Sequence, residues 1–86
     1  LDLSGQRVGA DGVTEIVKEL CRRKEPSPLR WLNLSGNRLG ADAVRALVRA
    51  DESKVKLYHL DVSLNGLSLS QQAALQSRFP EARVIH

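Results

Sequence analysis

The sequence predicts an α/β fold made of repeated strand–turn–helix units, and three observations predict it. "LDLSGQRVGADGV", Leu1 to Val13, returns as "LNLSGNRLGADAV", Leu32 to Val44, with nine of thirteen positions identical. Within a copy, the two-residue alternation of a half-buried strand gives way to the spacing of an amphipathic helix. The copies recur at about 28 residues, inside the range of stacked repeat arrays.

The elements follow in order. In the first unit, about residues 1–28, Leu1 matches Leu32, and Val13, Ile16, Val17 and Leu20 fall at i, i+3, i+4 and i+7, predicting a helix. Pro26 and Pro28 close it, since neither donates a backbone hydrogen bond and each disfavours helix in the residue before it. The offset of 31 between Leu1 and Leu32 exceeds the next offset, 28 from Leu29 to Leu57, and the three extra residues fall in "RRKEPSP".

The second unit, 29–56, reads "LRWLNLSGNRLGADAVRALV", with Leu29, Leu32 and Leu34 directed inward and Val44, Leu47 and Val48 on the helix. The third, 57–81, repeats the strand as Leu57, Leu60 and Val62, but Leu64 replaces the glycine and Gln72 and Gln76 replace Val44 and Val48. A shortened copy, "ARVIH" at 82–86, places Ala82 and Ile85 where Leu57 and Leu60 stand. Asp11, Asp42 and Ser70 occupy equivalent places at the helix starts and are expected to cap them.

These residues resemble the leucine-rich repeat family, in its ribonuclease-inhibitor-like class with long helical units. The resemblance covers essentially the whole chain as one domain. It implies a right-handed solenoid with parallel strands on a concave face and helices on a convex face. It also implies that Asn37 and Asn65, and Gln6 in the first unit, form a turn ladder in which side-chain amides hydrogen-bond the backbone of adjacent units. About three helical units are needed for stacking to bury a continuous core. A repeat already under way at Leu1, with no Met, implies a piece of a longer protein, and the charged, shortened last unit implies a C-terminal cap.

Composition narrows the functional classes. Thirteen Lys and Arg against ten Asp and Glu give a net charge of +3, weak for a nucleic-acid binder. One cysteine makes no internal disulfide, which points to an intracellular, cytoplasmic setting with the nucleus as a second address. There is no run long and apolar enough to span a bilayer. Cys21, four residues after Val17, reads as a small core residue. With one Cys and two distant His there is no metal-ligand pattern, and "GQRVGADG" lacks the ending of a phosphate loop. No cofactor and no enzymatic activity are expected.

What remains is a surface. Alternation directs the neighbours of the inward residues onto the concave face in three rows: Trp31 and His59, extended by Val84; Asp2, Asn33 and Asp61, extended by His86; and Ser4, Ser35 and Ser63. An exposed Trp on a rigid strand is a frequent interface anchor. The residues expected to contact a protein partner are Trp31, Asn33, Tyr58, His59, Asp61, Ser35 and Ser63. Asp61 and His59 have the composition of an acid–base pair, but adjacent strand residues alternate faces and no nucleophile is placed to use them.

Two other readings compete with a protein-binding face. The convex run "CRRKE" with Lys18, Arg45 and Arg49 would hold nucleic acid or an anionic membrane surface, although Glu15, Glu19 and Glu25 interleave it and Glu19 stands at i, i+4 from Arg23. Alternatively the segment is a structural cap touching upstream repeats. Ser27, before Pro28, is a candidate phosphorylation site.

Overall fold

The structure is a computed structural model that describes all residues from Leu1 to His86. Three helices alternate with three short strands: α1 (Gly9–Arg22), β1 (Trp31–Asn33), α2 (Ala41–Val48), β2 (His59–Asp61), α3 (Leu69–Arg78) and β3 (Arg83–Ile85). The strands form one parallel sheet in chain order, β1-β2-β3. Parallel neighbours need a crossover, and here each crossover is a helix.

Residues ahead of α1 extend the sheet without forming a full strand. Asp2 bridges Asn33 in parallel, the Leu1 amino group donates to the Trp31 carbonyl, and the N–H of Leu3 donates to the Asn33 carbonyl. The pattern continues into the turns, where Gly5 N–H reaches Ser35 and Gly36 N–H reaches Ser63. Each unit therefore bonds to its neighbour along the strand and the turn that follows it.

The core is aliphatic apart from Phe79. Leu32, Leu34, Leu60, Val62 and Val84 from the strands and turns meet Val13, Ala43, Val44, Leu47 and Leu75 from the helices in a single buried cluster. Helices α1 and α3 each pack on α2 and not on each other. Only Val13 of α1 is buried, and Ile16, Val17 and Leu20 stay half-buried. Leu57 is inward as expected, whereas Leu29 is half-buried.

Three local expectations are corrected. Neither Asp11 nor Asp42 caps a helix: both lie inside the first turn, and the residues ahead of those helices, Val8 and Gly40, make no side-chain cap. In the third unit the cap is Ser68 rather than Ser70, completed by Gln71 as a capping box, since a Ser with Gln three residues on satisfies two terminal N–H groups reciprocally. Ser70 only touches the Ser68 hydroxyl.

The register of β3 is the third. Val84, not Ile85, stands opposite Leu60, so Arg83 pairs with His59 and Ile85 with Asp61. Val84 takes the buried place and the flanking residues turn outward, because a one-residue slip reverses every side chain in a strand. The departures in α3 also find partners: Gln72 donates to the Leu67 carbonyl, and Gln76 donates to the carbonyls of Phe79 and Ala82.

Candidate functional site

The helices cover one side of the sheet and leave the other open. On that side Trp31, His59 and Arg83 form one row and Asn33, Asp61 and Ile85 the next, each pair flanking a buried residue in mid-strand. Trp31 is 41% exposed, a large apolar surface for a strand residue. Its ring stacks on the His59 imidazole with centroids 5.6 Å apart and planes within 18°. The stack fixes both rings without covering the indole.

Arg83 and Ile85 are the residues that the sequence reading missed, having placed Val84 and His86 in these rows. The signal was present, since Ala82 and Val84 already alternate as an inward pair in "EARVIH". With Arg83 beside His59, the row runs from indole to guanidinium.

The second row and the serines are joined. The Asp2 carboxylate accepts both the N–H (2.9 Å) and the hydroxyl (2.6 Å) of Ser4, and Asp61 accepts the same pair from Ser63 at 3.0 and 2.7 Å. Asn33 accepts the Ser35 N–H at 3.0 Å. Ser4 and Ser63 therefore spend their hydroxyl protons within the fold, and the row acts mainly to orient the acidic side chains. The Ser4 hydroxyl, then its N–H, hold the Asp2 carboxyl below the usual carboxylate range.

His59 and Asp61 lie two residues apart and so share the open face, contrary to the expectation that alternation would part them. Asp61 nevertheless bonds Ser63 and not the imidazole. Tyr58 stands apart from both rows: its ring lies under the Arg30 guanidinium, 5.7 Å from the centroid, and it lines a cavity of about 210 Å³ with Arg78, Phe79 and Pro80.

Beneath the face runs the asparagine ladder. Asn37, 1% exposed, accepts the Val8 N–H and donates to the carbonyls of Leu3, Leu34 and Ser35. Asn65 accepts the N–H groups of Asn37 and Leu39 and donates to the carbonyls of Leu34, Val62 and Ser63. Each amide serves its own turn and the turn of the unit before it. Gln6 does not join: it is exposed and makes no side-chain hydrogen bond.

On the helical side the acidic residues neutralise part of the basic run. Lys18 pairs with Glu15 at 3.8 Å, Arg22 with Glu19 at 2.7 Å, and Arg45 with Asp42 at 3.0 Å. Glu19 thus chooses Arg22 over the expected Arg23. Cys21 is half-buried against the core. Ser27 is 2% exposed and its Oγ accepts the Leu29 N–H, so it is no accessible target for a kinase. No helix is long and apolar enough to cross a membrane.

No protein-family model matches the chain, and neither a curated protein nor a solved structure matches it.

Proposed function

We propose that this chain is a segment of a leucine-rich repeat solenoid of the ribonuclease-inhibitor-like class, acting as a non-enzymatic protein-interaction module through its open strand face. The observation that carries the reading is Trp31: exposed, on a strand paired on both sides, and stacked on His59 next to Arg83. Trp and Arg are enriched among residues that dominate binding energy. The parallel strands in chain order, the nearest-neighbour packing of the helices and the asparagine ladder support the solenoid.

The mechanism is preorganisation. Side chains held by stacking and by paired backbone lose less freedom when a partner docks, a saving of about 0.5–1.5 kcal/mol for each side chain already immobilised. Asn33, Asp61 and Ile85 would supply the surrounding contacts. Binding on the helical face is the weaker reading, since three of its basic residues are paired with carboxylates.

The test compares capture of partners from lysate by the native chain and by Trp31→Ala, with circular dichroism showing both folded. A protein retained by the native chain and lost with Trp31→Ala supports the open face. Identical capture by both, with loss only when Arg22, Arg23 and Lys24 are neutralised together, would move the site to the helices.

A further inference from the structure

The three residues by which the first unit exceeds the second lie in the connection after α1, and that connection folds against the equivalent connection after α2. The Ser27 N–H donates to the Lys54 carbonyl at 2.8 Å, and the Lys54 ammonium donates to the Lys24 carbonyl. Between the two connections is a cleft of about 320 Å³ lined by Pro26, Ser27, Arg30, Ser53, Lys54 and Lys56. Three of the six lining residues are cationic and none is acidic.

The hydrogen-bonding capacity of these cations is largely unspent. Lys56 is exposed and its ammonium makes no hydrogen bond or ion pair. Arg30 is locked by one nitrogen, Nη1, which donates to the carbonyls of Ser27, Leu29 and Lys56, while Nε and Nη2 bond nothing in the protein. Lys54 keeps two further N–H donors beyond the one given to Lys24.

No carboxylate lines the cleft, although the Asp51 charge acts on Lys54 from outside it. Glu25, Asp51 and Glu52 are absent from its lining, and the Asp51 carboxylate is occupied by the N–H and hydroxyl of Ser53, at 2.9 and 2.7 Å. Three cations lining one cleft with no carboxylate among the lining residues match an anion with several oxygens, and Arg and Lys are the side chains that recognise phosphate. The volume lies at the lower end of small-molecule pockets, about 300–1,000 Å³.

We propose that this cleft binds a phosphate group, carried as free phosphate or as a small phosphomonoester, through Arg30, Lys54 and Lys56. It is separate from the open strand face and does not depend on it. Amide chemical shifts of the labelled chain, followed by NMR at constant ionic strength, test it with inorganic phosphate and glycerol 3-phosphate as probes. Saturable shifts centred on Ser27, Leu29, Arg30, Lys54 and Lys56 are expected. Lys56→Gln, which removes a charge and no structural bond, weakens binding about tenfold, while Arg49→Gln, the same charge change elsewhere, leaves it unaltered.

Tighter binding of glycerol 3-phosphate supports the site and assigns the ester; equal binding supports it and assigns the free ion. Shifts that never saturate, that spread over the basic residues of α1 and α2, or that respond equally to the two substitutions would overturn the proposal. The same holds if only a nucleic acid, and neither probe, perturbs the cleft.

Discussion

The asparagine ladder permits a comparative prediction, because the two rungs do unequal work. Replacing Asn65 with Ala removes the acceptor of the Asn37 and Leu39 N–H groups and the donor to the Val62 carbonyl. These three backbone groups belong to buried residues and make no other turn or loop hydrogen bond. The Leu34 and Ser63 carbonyls remain paired, the first through Asn37 and the second through Gly36 N–H. At about 1–2 kcal/mol for each buried group left without a partner, Asn65→Ala costs roughly 3–6 kcal/mol.

Asn37→Ala deprives only the Val8 N–H and the Leu3 carbonyl, both in half-buried residues that water reaches more easily. Its cost is about 2–3 kcal/mol. For 86 residues the total stability is about 4–13 kcal/mol, so the first substitution threatens the fold and the second does not. Urea unfolding followed by circular dichroism measures both, and native-state hydrogen exchange should show the amides of Asn37 and Leu39 losing protection in Asn65→Ala. Equal costs, or either cost below about 0.5 kcal/mol, would refute the argument that orphaned backbone groups, rather than the side chain's own packing, set the penalty.

Three further outcomes are expected. Leu64, 86% exposed, holds φ 58° where Gly5 and Gly36 hold 62° and 67°, so Leu64→Gly relieves about 1–2 kcal/mol of left-handed strain against roughly 0.5–1 kcal/mol of added chain entropy; the urea midpoint should rise. Ser68→Ala breaks the capping box and costs about 1 kcal/mol, while Ser70→Ala shifts the thermal midpoint little. The Ser53 hydroxyl, then its N–H, hold the Asp51 carboxyl below its ordinary value of 3.8, so the contribution of its charge is present above that value and lost as pH falls through the folded-state pKa. The stability difference between the native chain and Asp51→Asn should therefore narrow in urea titrations below pH 4, and a gap that stays constant would discount the charge.

The sequence made the parallel sheet of helix-linked strands readable because both periodicities lie in short local stretches: Leu32, Leu34, Leu60 and Val62 for the strands, Val13 and Leu47 for the helices. The ladder at Asn37 and Asn65 was expected through the resemblance to leucine-rich repeats, and both amides make such bonds between units. What escaped depended on choices between neighbours. Asp11 and Asp42 have the chemistry of caps, but the chain enters the helix before them, and a helix start is settled by backbone geometry over two or three residues. In β3 both Val84 and Ile85 are apolar, and over three residues the strand pattern is too short to choose between them. Burial beside Leu60 decides for Val84, and with that choice Arg83 and Ile85 join the candidate face.

The position of Trp31 and His59 in the molecule follows from how the units are joined. β1 is bonded to residues 1–3 on one side and to β2 on the other, and β2 lies between β1 and β3. These are the two strands with partners on both edges, and they carry the aromatic stack. The Asn65 rung ties the turns that follow β1 and β2 together, so the spacing of the two strands is held by backbone bonds within the sheet and by a buried amide at its end. A stack whose two members sit on strands with independently fixed separation cannot adapt by sliding. It presents one shape, and on the proposed reading a partner would have to complement that shape.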